Sequence, residues 1–342
     1  MKLRAIDEIA VGPIFICVGE PSGDLYGGFI ARELRRKNPD LEIYGVGGDG
    51  LQRSGVKIIE GYTDLQTFGF SAGLSSFLRN CRIYRQTARA LYQIKPKVFI
   101  AVAYPGMNLL LCRYARKLGI RTYFFSPPQI WAWGEFRKYF IKRWVERAIS
   151  FFPFEYNFYK SKDLRVEYFE NPLLKGLKKY QRRNFKRRIG FMPGSRRSEI
   201  KRNLPIMIRV MERFIQKRTD VDFLLIADSQ RSADFFRTLM AEKEKLIKAE
   251  IVVEERYQMM KDCEFLIVSS GTASFEALIM QVPQAFFNRP SFFDYYAVRR
   301  FLKINEYNLA NLYSGKPLIP TIISRNSEKI VEILIERLLS CF

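Results

Sequence analysis

The stretch Cys263–Met280, CEFLIVSSGTASFEALIM, decides the fold. A mostly apolar run leads into Ser-Ser-Gly-Thr and then into a segment whose apolar residues have helical spacing. The order of strand, glycine turn and helix is the repeating unit of a parallel sheet covered by helices. The glycine lets a ligand approach the backbone closely, and the free N–H groups at the start of the helix favour a phosphate.

The same unit recurs along the chain in two sets. The first set contains the apolar runs PIFICV, LEIYGVGG, PKVFIAVAYPG, RTYFFSPP and RAISFFPF. The second set contains IGFMPGSR, DFLLIADS, EIVVEE, CEFLIVSS and PQAFFNRP. Between the sets, residues 173–188 are basic and poor in apolar side chains, which is typical of a surface linker. We therefore predict two Rossmann-like α/β domains, residues 1–172 and 189–342, whose doubly wound parallel sheets face a cleft.

The charge balance limits the classes of partner that the protein is expected to bind. The chain has 57 Lys+Arg against 35 Asp+Glu, a net charge of +22. This excess indicates a phosphorylated substrate, an anionic membrane surface or nucleic acid, and a basic surface without a partner is the alternative. Because the sequence has none of the signatures of a nucleic-acid-binding module, we expect no nucleic-acid partner.

The composition also limits the chemistry and the location. The sequence contains no His, so a His-based triad and His-bound metal are excluded, and a general base must be Asp, Glu, Lys, Tyr or Cys. Its five Cys residues are scattered without metal-ligand spacing, as expected for reduced thiols. No apolar run reaches the roughly 18 residues of a membrane span, and the first residues do not have the features of a signal peptide. We expect a cytoplasmic protein with no metal and no cofactor.

Two loops of the second domain have the side chains expected around a nucleotide diphosphate. PGSRRSEI, residues 193–200, brings a glycine, a hydroxyl and arginines to a strand-to-helix turn. In the other loop, Glu276 could accept hydrogen bonds from ribose hydroxyls. The simpler alternatives are a plain loop and ordinary helix capping. The candidate donor-site residues are Gly194, Ser195, Arg196, Ser270, Gly271, Thr272, Ala273, Ser274 and Glu276. Neither loop is a Walker A or a GxGxxG motif, which weakens ATPase and dehydrogenase hypotheses.

Two segments of the first domain are candidates for the acceptor side. In GEPSGD, residues 19–24, small residues flank Glu20 and Asp24, either of which could act as a base, although Asp24 could also be a helix N-cap. Residues 126–148, SPPQIWAWGEFRKYFIKRWVERA, contain all three tryptophans among Arg and Lys residues. Such an amphipathic pattern is typical of helices at a membrane surface, and a core helix is the alternative. With the Phe-rich FGFSAGLSSFLRN, it predicts membrane contact through Phe68, Phe70 and Trp144.

Six motifs in this order resemble the lipid A disaccharide synthase family. They are GEPSGD, SPPQIWAW followed by Arg137, FPFE at 152–155, MPGSRRSEI, SSGTASFE and NLANLYSGKPLIP at 308–320. The resemblance implies a GT-B fold without a metal. It also implies the transfer of 2,3-diacylglucosamine from UDP to 2,3-diacylglucosamine 1-phosphate, with inversion and release of UDP. This reaction belongs to lipid A biosynthesis in Gram-negative bacteria, and the enzymes work peripherally on the inner face of the cytoplasmic membrane.

The resemblance also extends the candidate site. It places Asn311 near the donor and makes Arg196 and the helix start near Thr272 the candidates for stabilising the leaving UDP. Seven further residues are expected to line the acceptor side of the cleft: Ser22, Gly23, Asn108, Ser126, Gln129, Trp131 and Arg137.

The acceptor half departs from the family pattern. Where the family has Asp followed by Pro-Asp-Phe-Asn, this chain reads Ala103-Tyr104-Pro105-Gly106-Met107-Asn108. The first of these acids is the usual candidate for activating the acceptor hydroxyl, so Glu20 or Asp24 would have to replace it. Further departures are Ala72 and Thr321 in place of acids, and Glu170-Asn171-Pro172 in place of Gly-His-Pro.

Two hypotheses about function follow. The first is an active synthase, and the second is a divergent paralogue that binds a UDP-sugar or lipid with little activity or with a different lipid acceptor. A UDP-N-acetylglucosamine epimerase would share the fold but would need an acid and His constellation that a chain without His cannot supply.

Overall fold

A computed structural model describes residues 4–61, 74–181, 185–241, 247–291, 306 and 308–342 of the chain. The described residues form two compact units, the first ending at Pro172 and the second beginning at Leu173. Each unit is built on one sheet, and all strand pairs in both sheets are parallel. The predicted fold class, two parallel-sheet α/β domains, is confirmed.

The sheet of unit 1 has seven strands in the order β3-β2-β1-β4-β5-β6-β7. They are β1 (Ile14–Val18), β2 (Ile43–Gly47), β3 (Lys57–Gly61), β4 (Val98–Val102), β5 (Arg121–Phe125), β6 (Arg147–Ser150) and β7 (Val166–Tyr168). Every residue of β1 and β4 is buried, so helices or loops cover both faces of the sheet centre. The strand order reverses between β1 and β4, and ligands of such sheets bind at the carboxyl ends beside that reversal.

Seven helices accompany this sheet among the described residues. They are α1 (Arg4–Ile9), α2 (Pro21–Lys37), α3 (Asp49–Gln52), α4 (Leu74–Ile94), α5 (Pro105–Lys117), α6 (Arg137–Trp144) and α7 (Pro153–Ser161). The core contains Phe99 and Phe124 of the sheet, and α5 packs Met107 and Leu111 into the same cluster. Because α2 follows β1 and α5 follows β4, both helices begin at the carboxyl edge of the sheet.

Unit 2 repeats the arrangement with six strands in the order β10-β9-β8-β11-β12-β13. They are β8 (Lys186–Met192), β9 (Asp222–Ile226), β10 (Ala249–Val252), β11 (Cys263–Val268), β12 (Gln284–Asn288) and β13 (Thr321–Ile323). The described helices of this sheet are α9 (Arg197–Ile215), α10 (Gln230–Met240), α11 (Arg256–Asp262), α12 (Gly271–Ile279), α13 (Leu309–Ser314) and α14 (Ser327–Cys341). The reversal lies between β8 and β11, the strands that precede the two glycine turns predicted to bind a diphosphate.

The last helix shows how local sequence sets an element. The Asn326 side chain accepts hydrogen bonds from the N–H groups of Glu328 and Lys329 and so begins α14. Val331, Leu334 and Leu338 then bury one face of the helix in the core of unit 2. In the described parts of the chain, no helix combines the length and apolar character needed to cross a membrane.

The segment predicted as a linker, residues 173–188, contains regular structure. Helix α8 covers Pro172–Leu177, a single 3₁₀ turn follows at Lys178–Tyr180, and β8 already begins at Lys186. The helix forms because Leu173 and Leu177 are buried, a short apolar pattern that the surrounding Lys and Arg residues concealed.

Candidate functional site

The loop after β8 holds Arg196 at the carboxyl edge of unit 2. Gly194 has φ +117°, and a Cβ there would lie 2.9 Å from Oε2 of Glu199, so this turn requires glycine. Asn203 braces the loop by donating a hydrogen bond to the Pro193 carbonyl at 3.1 Å. The Arg196 guanidinium pairs with Glu199 at 3.0 Å, and its side chain is 40% exposed. A partly exposed cation therefore stands on a turn that Asn203 holds by a hydrogen bond.

The turn before α12 lies beside that loop. The Ser269 hydroxyl donates to the carbonyl oxygen of Met192 at 3.0 Å, which joins the carboxyl ends of β11 and β8. Ser270 is the N-cap residue of α12, but its side chain makes no capping hydrogen bond. Neither Thr272 nor Ser274, the residues that the capping alternative would require, is the N-cap residue, and the helix start keeps N–H groups available for an anion.

Ser274 is committed to packing. It is fully buried, and its hydroxyl donates to Oδ1 of Asn308 at 2.8 Å, which ties α12 to the start of α13. Asn311, three residues further on, is also buried. Its amide donates to the carbonyl of Ile319 at 2.9 Å and accepts from the N–H of the same residue at 2.8 Å. Both residues hold the segment that returns to β13.

Glu276 lies in a buried charged cluster. The residue is 1% exposed. Its Oε1 accepts hydrogen bonds from Nη2 of Arg256 at 2.5 Å and from the Tyr257 hydroxyl at 2.9 Å. Burial is the largest single influence on Arg256 and acts to lower its pKa, but Glu276, Tyr257 and Asp228 together outweigh it and the net pKa is raised. Glu276 therefore neutralises an arginine whose side chain is 24% exposed. Removal of Arg256 would leave the buried carboxylate without this partner, which strongly destabilises a fold.

Asp228 extends this cluster at the end of β9. Burial raises the pKa of its carboxyl, and a hydrogen bond from the Ser232 hydroxyl at 2.5 Å partly offsets that rise. Arg256 also acts electrostatically on Asp228. Carboxylates that follow β9 and β11 thus share one arginine, which local sequence did not suggest.

In unit 1, the two acids of GEPSGD have different environments. Glu20 precedes α2, is partly exposed, and accepts a hydrogen bond from the Ser22 hydroxyl at 3.1 Å. Asp24 is 5% exposed, and its carboxylate accepts from the backbone N–H groups of Gly48, Gly50 and Leu51 at 2.8, 2.7 and 3.2 Å. Asp24 therefore fixes the turn into α3 and is not the N-cap of α2.

The position of the missing acid has an unusual backbone. Ala103 and Tyr104 both have left-handed conformations, with φ +50° and +46°. Such conformations cost of order 1–3 kcal/mol each and persist only where the surrounding structure imposes them. The Tyr104 ring lies over Gly19, where a Cβ would come within 2.3 Å of it. An aromatic ring thus covers the glycine that opens GEPSGD.

Asn108 stabilises the junction between the ends of β1 and β4 with hydrogen bonds. It is fully buried, and its Nδ2 donates to the carbonyl of Ala103 at 2.8 Å and to those of Cys17 and Val102 at 3.3 Å. Gly23 approaches the same place, since a Cβ there would lie 3.2 Å from the Val102 carbonyl oxygen. Both predicted acceptor-side residues hold the carboxyl ends of β1 and β4 together.

The loop after β5 is clamped from α7. The Trp131 indole N–H donates to Oε1 of Glu155 at 3.0 Å, and the Ser150 hydroxyl donates to the other carboxylate oxygen at 3.0 Å. Glu155 is 2% exposed. Burial raises its pKa to about 7, although the hydrogen bonds from Trp131 and Ser150 act to lower it. The Tyr159 hydroxyl donates to the carbonyl of Pro128 at the other end of the loop.

Arg137 closes this loop. Its guanidinium lies over the Trp133 ring at 3.9 Å and donates to the Trp133 carbonyl at 2.9 Å. Burial lowers its pKa. Ser126 has φ +50°, and Gln129 is exposed between the clamped positions. The structure thus brings four predicted acceptor-side residues into one braced loop: Ser126, Gln129, Trp131 and Arg137.

Of the three residues predicted to touch a membrane, only Trp144 lies in the described part of the chain. Trp144 ends α6 and stacks on Phe140 with ring centroids 4.7 Å apart. Phe68 and Phe70 lie outside the described residues, as does Ala72. Within the described parts of the chain, no three Cys, Asp or Glu side chains are grouped as metal ligands.

Two parallel sheets, each with its glycine turn at the carboxyl edge, define a protein of the GT-B class. Solved structures with this fold include the UDP-GlcNAc 2-epimerase of Methanocaldococcus jannaschii in complex with UDP-GlcNAc and UDP. It has a TM-score of 0.61 and 12% identity, and the match covers 95% of this chain and 93% of that one. MurG of Acinetobacter baumannii has a TM-score of 0.52 and 12% identity over 96% of this chain and 90% of that chain. At this identity, both comparisons show the fold alone.

Sequence comparison identifies the family. The sequence model of the family described as lipid-A-disaccharide synthetase matches residues 14–339. The chain belongs to the lipid-A-disaccharide synthase family, and it is a hexosyltransferase of lipid A biosynthesis. Relatives include the lipid-A-disaccharide synthases of Geobacter sulfurreducens, 28% identical over 91% of this chain and 83% of that protein, and of Sulfurihydrogenibium sp., 30% identical over 91% and 84%. The family predicted from six motifs is confirmed.

Proposed function

We propose that this protein transfers 2,3-diacylglucosamine from UDP to the hydroxyl of 2,3-diacylglucosamine 1-phosphate and releases UDP. The observation that carries the proposal is the joined carboxyl edge of β8 and β11. There the uncapped start of α12 and the partly exposed Arg196 stand on turns linked by Ser269.

The donor side stabilises the leaving group in this proposal. Negative charge develops on the diphosphate of UDP as the glycosidic bond breaks. Arg196 supplies a guanidinium for phosphate oxygens, and the start of α12 supplies N–H groups and the positive end of its dipole. Glu276 together with Arg256 and Tyr257 forms the polar wall that we assign to the ribose.

On the acceptor side, Glu20 is the proposed base. Asp24 accepts hydrogen bonds from three backbone N–H groups, which leave it little freedom to reach a substrate. Glu20 is partly exposed and accepts a hydrogen bond from the Ser22 hydroxyl. Glu20 takes the proton from the acceptor hydroxyl while that oxygen attacks the anomeric carbon, and UDP leaves with the bonding electron pair.

Release of UDP in detergent micelles tests this proposal. UDP is measured from UDP-2,3-diacylglucosamine with and without 2,3-diacylglucosamine 1-phosphate. We expect release that depends on the acceptor and that Arg196→Ala lowers by about 10²–10³. The control is Arg197→Ala, because the neighbouring Arg197 guanidinium stacks on the Phe235 ring at 4.8 Å. Release that is independent of the acceptor, or that Arg196→Ala lowers no more than Arg197→Ala does, contradicts the proposal.

One observation favours the second candidate, a divergent paralogue. Both family acids of the acceptor half are absent at Ala103 and Gly106, and the Tyr104 ring lies over Gly19. UDP binding without turnover of either substrate, measured by calorimetry on the same preparation, would support this candidate over the synthase.

The proposed setting is the inner face of the cytoplasmic membrane, with peripheral attachment. The net charge of +22 and the exposed aromatic residues of α6 support an anionic surface as partner. Sedimentation with vesicles tests it: binding to vesicles with anionic lipid, and loss of that binding in high salt, is the expected result. Equal recovery without vesicles would contradict it.

A further inference from the structure

A groove in unit 1 runs between α5 and α6. Its volume is about 1080 Å³. The described residues that line it include no acid. Its apolar lining consists mainly of Leu109, Leu110, Phe136, Phe140 and Trp144, and its basic lining of Arg113, Arg116, Lys117, Arg137 and Arg143. An apolar floor with a basic rim matches an acyl chain that carries an anionic group.

The α6 side of the groove is an aromatic stripe. Phe136, Phe140 and Trp144 are four residues apart, so they share one helix face. The first two rings meet edge to face at 6.1 Å, and the last two stack at 4.7 Å. Phe136 is 60% exposed, and Tyr139 beside it is 66% exposed. Adjacent large side chains with this exposure mark a surface for an apolar partner.

Most of the basic residues lie at the end of the groove that is formed by the last turns of α5. Arg113, Arg116 and Lys117 lie on the last turns of α5, and the Arg113 guanidinium is 5.6 Å from the Trp144 ring. Arg137, at the other end, is committed to the carbonyl of Trp133. Two acids that pair with cations of α6, Glu135 and Asp163, are not part of the lining. Arg137 is thus engaged by backbone carbonyls at its end, whereas Arg113, Arg116 and Lys117 at the other end have no acid as an ion-pair partner among the described residues.

The length of the groove matches the length of one lipid acyl chain. At 1.5 Å per residue, α5 from Pro105 to Lys117 spans about 18 Å. The hydrocarbon of one membrane leaflet is roughly 15 Å deep, half of a core of roughly 30 Å. We propose that this groove binds a single anionic phospholipid of the membrane. One acyl chain lies along the aromatic stripe, and the phosphate lies between Arg113, Arg116 and Lys117.

The position of the charge separates this lipid from the sugar substrates. Helix α5 begins directly after β4, at the carboxyl edge where the acceptor residues lie, and it runs towards the opposite edge. Arg116 is about 16 Å along the helix axis from Pro105. A phosphorylated acceptor has its phosphate on the reacting sugar, which would place that charge at the wrong end. The lipid site therefore does not depend on the proposed transfer reaction.

Binding of monomeric short-chain lipid to the full chain tests the inference without either sugar substrate. The probe is dihexanoylphosphatidylglycerol below its micelle concentration, followed by calorimetry and native mass spectrometry. We expect one lipid per chain, no comparable binding of the phosphatidylcholine analogue, and none of inorganic phosphate. Each methylene added to the buried chain should tighten binding about fourfold.

Variants then locate the site. Removing two guanidinium groups with Arg113→Gln/Arg116→Gln should weaken binding about 25-fold, since each cation near an anionic lipid is worth about a factor of five. Leu110→Glu should abolish binding, because Leu110 is 45% exposed in the groove and the change introduces a charge that repels the lipid phosphate. The matched control is Arg36→Gln/Arg53→Gln, which removes the same charge from α2 and the end of α3.

Three results would overturn the inference. The first is equal weakening by the control pair, which means that the net charge alone attracts the lipid. The second is equal affinity for the phosphatidylcholine analogue. The third is binding to phosphatidylglycerol vesicles but not to the monomeric lipid, which means a surface contact without a lipid site.

Discussion

The carboxyl edges of the two sheets have the same topology but different chemistry. In unit 2, the loop ending at Arg196 and the start of α12 present a partly exposed cation and uncapped N–H groups. In unit 1, the corresponding polar side chains of Asp24 and Asn108 form hydrogen bonds with the backbone. The strand end at Ala103 keeps a left-handed backbone without an acid. The same kind of strand-to-helix turn can thus present polar groups to a ligand in one unit and stabilise the backbone in the other.

A substitution of Glu20 tests the difference between the two units most severely. If unit 1 still contributes a base, Glu20→Gln should lower kcat by about 10²–10⁴, the usual effect of removing a general base. Substrate KM should change little. The measurement is acceptor-dependent UDP release at saturating donor.

A second variant sharpens this result. Ala103→Asp in the Glu20→Gln background returns an acid to the family position, and Asp tolerates the left-handed backbone found there. Partial recovery of kcat in the double variant would indicate that Glu20→Gln is impaired because it lacks the general base. Full activity of Glu20→Gln alone would mean that another group accepts the proton.

On the donor side, Arg196→Ala should lower kcat by about 10²–10³, as removal of one transition-state donor commonly does. Its ion pair with Glu199 is partly exposed, so the thermal stability should hardly move. Steady-state kinetics and a melting curve check both parts. Activity equal to that of Arg197→Ala would remove Arg196 from the site.

Glu155 gives unit 1 a dependence of stability on pH. Its pKa is raised by burial from 4.5 to about 7 in the folded state. The folded state therefore binds the proton more tightly, and stability that is present below pH 4.5 is lost as the pH rises through 7. The loss is on the order of 3 kcal/mol. Urea unfolding from pH 5 to 8 should show this loss in the wild type.

The control is Glu155→Gln, which keeps an oxygen for the Trp131 indole but cannot ionise. Its unfolding free energy should vary less with pH than that of the wild type, and it should exceed the wild-type value at pH 8. Parallel pH curves for the two proteins would contradict a buried titrating carboxyl at this position.

The smallest expected effect belongs to Asp24. Asp24→Asn weakens the bonds that the carboxylate accepts from the turn before α3, at a cost of about 1–3 kcal/mol in unfolding free energy. Because we assign Asp24 to structure, kcat per folded molecule should stay within about twofold. A loss of kcat as large as that of Glu20→Gln would make Asp24 the base and reverse the assignment.

The sequence revealed the strands that lie inside the sheets. Strands β1 and β4 appear as continuous apolar runs because both of their faces are buried. Strands β3, β7 and β13 were missed. They have five, three and three residues, and none of them shows a continuous buried pattern. The short strands form only because a neighbouring strand supplies hydrogen bonds, which no local pattern records.

The residues of the candidate site also differ in whether local sequence could reveal them. Glycine turns before helices are local features, so Gly194 and Gly271 could be found from sequence. The role of Glu155 could not, since its partner Trp131 is 24 residues away and the bond depends on how α7 packs. FPFE marked the position as part of a family motif without showing its hydrogen bonds. Likewise, nothing local indicated that Asn108 would serve the backbone.

Product analysis tests most directly whether the acceptor half is still active. The purified protein is incubated in micelles with UDP-2,3-diacylglucosamine and isotopically labelled 2,3-diacylglucosamine 1-phosphate, and the lipids are analysed by mass spectrometry. We expect a labelled disaccharide 1-phosphate that carries the acyl chains of both substrates, formed together with an equal amount of UDP. UDP-sugar binding without any labelled disaccharide would contradict the proposed reaction and identify unit 1 as a domain that has lost it.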